Sequence, residues 1–323
     1  MRVAVVSDAL GALDTAAAGR AIAEGWSRDG AEVALCPVGE AAEQFRTAVS
    51  SYAWTDVVAV GLPGPVPEPA VRPTQSTLEL GELVAAATHT TATTVCVDLG
   101  AVAALDGGAG LLSALGATAD GPLDAGLDEL RALTRVDISA ARTAVAGRTI
   151  VGIVPDGEAD RVLLGLRGAV SLIGHEAGMA RPELLDHEIA MEHWSRLADP
   201  AAASVPGAGA AGGSGFAVTA LGGSIATGSR WLAGRLGLPA TLRQADVVVT
   251  CCARFDVEAC RAGVVRTVAE LAATASRPCV VLTQEVLVGA REMRALGVEA
   301  AYAAQPGESP EAQAARVART WRW

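Results

Sequence analysis

Three carboxylates and two glycine-rich loops are the parts of this sequence whose types and spacing could do chemistry. Asp106-Gly107-Gly108-Ala109-Gly110 follows a strand-like run and opens a helical one. A carboxylate beside the free amides of a helix start suits either a magnesium–phosphate site or an ordinary N-cap. Gly207-Ala208-Gly209-Ala210-Ala211-Gly212, followed by Gly213, is a literal GxGxxG. That motif acquires a dinucleotide-binding meaning only after a strand, before a helix, and with an acidic residue ~20 positions on. Here AAASVP precedes it and nothing acidic occurs between Gly212 and Asp246. What survives is a glycine loop before a helix, whose amides bind phosphate or carboxylate in one reading and merely allow close backbone packing in the other. Asp8 ends the first strand-like run and Asp256 follows a late one. Both fall at the carboxyl edge where open α/β sheets bind ligands, and both are equally readable as helix caps.

The remaining reactive residue types give less. His89, His175, His187 and His193 lack metal-ligand spacing and read as surface or packing residues, so no metal ligands are assigned. None of the six cysteines forms a CxxC pair, and Cys36, Cys96 and Cys279 lie within apolar runs, as reduced core residues do. Cys251-Cys252 reads as a partly buried pair after a strand rather than as a reactive thiol.

The elements that must position these groups alternate. RVAVV (2–6), EVALC (32–36), DVVAV (56–60), TVCVD (94–98), TIVGIV (149–154), DVVVT (246–250), PCVVLT (278–283) and VEAAYA (298–303) read as strands. Helices are expected over 14–28 with Asp14 as N-cap, and over 39–50, 78–88, 256–275 and 289–296, with helical periodicity from 309. Helical periodicity also runs through 161–198 with Pro182 near a helix start, and a small-residue tract, 199–215, leads into another helix. Residues 61–75 hold five prolines and make the best linker candidate. The expected architecture is therefore a parallel-sheet α/β domain from 1–64 plus 243–323, with a second α/β domain, 65–242, inserted.

Composition narrows function further. The chain has 323 residues, 51% hydrophobic, with 25 basic against 36 acidic residues and a net charge of -11. A nucleic-acid partner needs the opposite balance. No apolar run reaches the length of a membrane span and no secretory leader pattern opens the chain, so a cytoplasmic protein without a membrane partner is expected. All 25 basic residues are arginine. Without lysine there is no Walker A loop, no pyridoxal Schiff base, no protein-kinase lysine and no serine β-lactamase centre. Trp321 and Trp323 near the end could dock onto the domain or make a homodimer contact.

These residues occur in an order that resembles the type I glycerate kinases. DGGAGLLSALGA (106–117) and PGAGAAGGSGFAVTALGG (206–223) are similar to signature runs of that family, with weaker matches at 5–26, 163–170 and 246–256. The resemblance implies a flavodoxin-like domain with a second α/β domain inserted, and ATP-dependent, Mg²⁺-assisted phosphorylation of D-glycerate or a similar hydroxy acid. It implies metal or hydroxyl activation by Asp106 or Asp256, with Asp8 a further candidate catalytic residue. It also implies phosphate or carboxylate binding by Gly107, Gly108, Gly207, Gly209, Gly212 and Gly213. The family's polar positions depart here: SDALGAL replaces a PDSFKGS-like loop, PVGEAAE replaces DGGEGT, GAVAAL replaces GGSATN, and Cys251-Cys252 replaces Gly-Glu. Arg254, beside Asp256, is the first candidate to replace a lost lysine as phosphate cation. Because phosphoryl transfer relies on such groups, a second function stands beside the first: a catalytically degenerate paralogue acting as a binding, regulatory or assembly protein.

Overall fold

The computed structural model describes residues 1–28, 30–64 and 74–321. Residues 65–73 of the expected linker and Trp323 lie outside them. The chain forms two compact units, one from Met1–Glu40, Gln44–Ala53 and Gly228–Trp323, the other from Ala41–Glu43 and Trp54–Thr227.

The strands in chain order are β1 (Arg2–Ser7), β2 (Glu32–Pro37), β3 (Val57–Gly61), β4 (Thr94–Asp98), β5 (Thr118–Ala119), β6 (Val136–Asp137), β7 (Thr149–Val154), β8 (Ser224–Thr227), β9 (Val247–Phe255), β10 (Cys279–Val286) and β11 (Val298–Ala303). The α-helices are α1 (Thr15–Ser27), α2 (Ala42–Ser50), α3 (Leu78–Ala87), α4 (Ala109–Ala114), α5 (Ser139–Ala144), α6 (Ala169–Glu176), α7 (Arg181–Ala198), α8 (Ala210–Ala220), α9 (Gly228–Arg235), α10 (Leu238–Gln244), α11 (Val257–Arg261), α12 (Gly263–Thr274), α13 (Ala290–Leu296) and α14 (Pro310–Ala318).

The first unit is built on a wholly parallel sheet in the order β11-β10-β9-β1-β2. Read from the β2 edge, this is the 2-1-3-4-5 order of flavodoxin-like folds. Val3 to Val6 are all buried, the continuous apolar run that a parallel strand covered on both faces requires. Asp14 caps α1, its Oδ1 accepting the Ala17 amide at 2.7 Å, and the helix buries Ala18, Ile22 and Trp26. Against that face lie Ala314, Val317 and Ala318 of α14, and a Cβ on Gly25 would stand 2.5 Å from the Glu311 carbonyl. Beyond α14, Trp321 donates its Nε1–H to the Tyr302 hydroxyl at 3.0 Å within the same unit.

The second unit carries the parallel sheet β3-β4-β7-β8 and the antiparallel pair β5-β6. Its core joins Val95 and Val97 of β4, Ile150 and Val154 of β7, Leu80 and Val84 of α3, Leu111 and Leu112 of α4, and Phe216 and Val218 of α8. Helix α7 contributes Ala190, Met191 and Trp194.

Two sequence-based expectations change. β3 pairs with β4 and so belongs to the second sheet, and the chain passes between the units at 53/54 and 227/228 and around Ala41–Glu43. The periodic stretch 161–198 holds α6 and α7, separated near Gly178 at positive φ, and Pro182 lies in the first turn of α7 as expected. The stretch 256–275 breaks at Ala262, which is extended, and Gly263, at φ 86°, giving α11 and α12.

Candidate functional site

In the first unit the chain leaves β1 toward β2 on one side, while β9, β10 and β11 progress toward the other. Such a reversal between adjacent parallel strands opens a crevice at their carboxyl ends, the usual ligand position in open α/β sheets. Asp8 directly follows β1, Arg254 is the penultimate residue of β9, and Asp256 directly follows β9. The fold thus brings these three predicted residues to one sheet edge.

Asp8 is half-buried there. Its Oδ1 accepts the Ala9 amide at 2.8 Å, and its main-chain carbonyl accepts the Cys251 thiol at 3.2 Å. Burial pushes the carboxyl up to about 7, the Ala9 hydrogen bond pulling the other way. Asp256 is organised differently: Oδ1 accepts the amides of Glu258 and Ala259, each at 3.1 Å, and so caps α11. Its Oδ2 stands 3.9 Å from Nη2 of Arg254, whose Nε is 3.8 Å from Glu285 Oε2. The Arg254 side chain is 62% exposed, so these loose pairs stabilise little and leave the cation free to turn toward a ligand. Cys251 and Cys252 are buried, and burial pushes both thiols up, Cys252 to about 12. Neither is a thiolate nucleophile at neutral pH, in line with the packing reading. Thr250, on β9, is fully buried with its hydroxyl unpartnered.

In the second unit Asp106 is fully buried. Its Oδ2 accepts the Thr77 amide at 2.7 Å, the Thr77 hydroxyl at 2.8 Å and the Gly110 amide at 3.2 Å, while Oδ1 accepts the Gly108 amide at 2.9 Å. The Thr77 hydroxyl in turn accepts the Leu111 amide at 2.9 Å. Burial raises the Asp106 pKa and these four bonds oppose that. A carboxylate enclosed in this way ties α3 to α4.

The glycine loops are closed by protein. Gly107, at φ 60°, donates its amide to the Gly212 carbonyl at 3.2 Å, and its own carbonyl accepts Trp194 Nε1–H at 3.1 Å. A Cβ on Gly108 would lie 2.3 Å from the Ala217 methyl. One on Gly207 would lie 2.7 Å from the Ala159 carbonyl oxygen, on Gly209 1.9 Å from that of Val162, on Gly212 1.9 Å from that of Ala104, and on Gly213 2.8 Å from the Gly107 Cα. A side chain at any of these glycines would meet neighbouring protein atoms, so close packing requires glycine there. One amide of the loop does meet an anion: Ala211 N–H donates to Glu158 Oε2 at 2.7 Å, and Arg161 Nη1 lies 3.3 Å from Glu158 Oε1.

Sequence reading missed Thr77, Trp194, Glu158 and Arg161, and also Asp98, the buried residue ending β4, which accepts the amides of Ala42 and Gly100 at 2.8 and 3.0 Å. An acidic residue ending a strand was the available signal for Asp98; Glu158 and Arg161 follow the carboxyl end of β7 in the same manner. His187 is buried, with Nε2 3.1 Å from Asp128 Oδ1, and is a packing residue as expected. Among the described residues no group of three or more His, Cys, Asp or Glu could hold a metal ion, and no helix is long and apolar enough to cross a membrane.

A 2-1-3-4-5 parallel sheet with an acidic carboxyl edge and a second parallel-sheet unit defines a class of two-unit α/β proteins, and known proteins share it. The glycerate kinase family model matches residues 42–321, and the chain belongs to that family. An uncharacterized protein of Mycobacterium bovis is 28% identical, covering 93% of this chain and 83% of that one. Glycerate 2-kinase of Escherichia coli is 29% identical over 62% of this chain and 54% of its own length, and glycerate kinase of Bacillus subtilis is 26% identical over 86% and 75%. A solved structure from Salmonella typhimurium named as a glycerate kinase 2 superposes with a TM-score of 0.83 at 21% identity, covering 99% of this chain and 98% of that one, a likeness of fold.

Proposed function

We propose that this chain transfers the terminal phosphoryl group of ATP to a hydroxyl of D-glycerate or a similar small hydroxy acid in the cytoplasm. The observation that carries the reading is Asp8: a half-buried carboxyl at the sheet's switch point, raised by burial to about 7 and engaged in no helix cap. A general base works best with its pKa near the working pH. The Asp8 carboxylate takes the hydroxyl proton as that oxygen bonds to the γ-phosphorus and the bond to ADP breaks. Family membership supports the same chemistry.

Magnesium binding in such reactions needs only one or two carboxylates beside the substrate phosphates. Asp256 fits this, because capping α11 uses Oδ1 and leaves Oδ2 turned toward Arg254. Bound there, the ion would neutralise charge spreading over the phosphoryl oxygens. Arg254 provides a guanidinium for the phosphates in a chain that has no lysine. Membership of the glycerate kinase family supports a small-molecule substrate.

A coupled assay of ADP release with ATP, Mg²⁺ and D-glycerate tests the reading. Turnover by the wild type that falls at least ~10²-fold in a folded Asp8→Asn variant is expected. Absence of both turnover and calorimetric nucleotide binding would overturn it in favour of a non-catalytic binding protein.

A further inference from the structure

Helix α7 has two faces. One buries Ala190, Met191 and Trp194 in the core of the second unit. The other carries Arg181, Leu185, Ile189 and Glu192, whose spacing of four, four and three residues lines them up along a single stripe. Leu185 is 61% exposed and Ile189 47%. Scattered exposed aliphatic residues are ordinary, but a third stands beside these two. Leu166, 93% exposed, follows Gly165, whose amide donates to the Glu188 carboxylate on the flank of the same stripe. An exposed apolar patch rimmed by polar residues marks an interaction surface.

The charges at the two ends of the stripe select what covers it. Arg181 stands at one end and Glu192 at the other, both exposed, and among the described residues neither forms an ion pair within the chain. The adjacent charges are engaged: Asp186 lies 3.4 Å from Arg131, Glu188 holds the Gly165 amide, and Arg196 Nη2 lies 3.1 Å from His193 Nδ1. A second α7 laid antiparallel on the first, about a two-fold axis near residue 187, sets Leu185 against the partner's Ile189 and Arg181 beside the partner's Glu192. Symmetry makes each contact twice, and such an isologous contact closes as a dimer. A parallel arrangement would set like charges together.

We infer that the outer stripe of α7 is an interface between two copies of this chain, with Leu185 and Ile189 at its centre and an Arg181–Glu192 pair at each end. The 18 residues of α7 span ~27 Å, so both pairs fall within the overlap and Arg196 lies past its end.

Sedimentation velocity of the full chain over ~1–100 µM tests this, with circular dichroism to check that each variant is folded. The wild type is expected to move from the monomer mass to twice that mass. Ile189→Asp is expected to weaken the dimer at least ~10-fold, and Arg181→Glu and Glu192→Arg each to do the same. The double reversal Arg181→Glu/Glu192→Arg, which keeps the net charge, is expected to restore it. An equal mixture of the two single reversals is also expected to dimerise, since every contact between them then joins opposite charges. If Ile189→Asp does not fold, Leu185→Asp takes its place. A wild type that stays monomeric throughout would overturn the inference in favour of a different partner protein. So would a dimer that survives the apolar-to-Asp change, or one that neither the double reversal nor the mixture restores. None of these readings uses ATP, so their failure is distinguishable from failure of the phosphoryl-transfer proposal.

Discussion

The amide of Gly107 donates to the carbonyl of Gly212 at 3.2 Å, so the two glycine loops of the second unit are joined to each other. A methyl group at Gly212 would meet the Ala104 carbonyl at 1.9 Å while φ stays at 65°, and one at Gly209 would meet Val162 at 1.9 Å. Gly212→Ala and Gly209→Ala should each cost ~3 kcal/mol or more, because backbone rather than a flexible side chain must yield. Gly263 also has positive φ, 86°, but open space around it, so Gly263→Ala should cost only about 1–2 kcal/mol. Urea denaturation of the three variants checks the order.

Thr77 is the hinge of the Asp106 cluster. Thr77→Ala removes a donor to Asp106 Oδ2 and the acceptor of the Leu111 amide, both buried. A loss of about 1–3 kcal/mol is expected. Thr77→Ser, which keeps the hydroxyl, should recover most of it in the same denaturation experiment.

Asp8 ties stability to pH in a definite direction. Its folded pKa, about 7, lies above the usual 3.8, so between those values the folded state holds a proton that the unfolded state has released. The associated stability is complete below pH ~4 and lost as pH rises through about 7. Asp8→Asn removes the burial cost of the charge, so the variant should melt several degrees above wild type at pH 8 and close to it at pH 4, while being inactive. Melting curves across that range, paired with activity, separate the two effects.

Much of the first unit was legible because its signals are local. The run Val3–Val6, the Asp14 cap and the alternation from 246 onward each specify an element without reference to distant residues. The partner of β3 is a tertiary choice, and its DVVAV run fits either sheet equally well. Pro182 signalled the start of α7, but the break at Gly263 was illegible for a related reason, since apolar periodicity continues across it while the backbone does not. At the site, strand order placed Asp8 and Asp256 at one sheet edge, while Arg254 entered only through the family resemblance, beside Asp256. It could not show that Asp106 is enclosed by Thr77, or that Gly212 faces Ala104, because those neighbours are set by packing between remote segments.

Asp256 has two duties in this account, and one substitution separates them. Asparagine caps helices about as well as aspartate, so Asp256→Asn should hold stability to within about 0.5 kcal/mol. Removing the charge beside Arg254 should still lower turnover ~10²-fold. Parallel melting and rate measurements decide: unchanged turnover would make Asp256 a cap alone.

The most direct measurement is ³¹P nuclear magnetic resonance of the purified protein with ATP, Mg²⁺ and D-glycerate. The predicted result is a growing phosphomonoester resonance matched by loss of the ATP γ-phosphate and appearance of ADP, absent with Asp8→Asn. ATP that stays intact, or that yields only inorganic phosphate, would contradict phosphoryl transfer to the hydroxy acid.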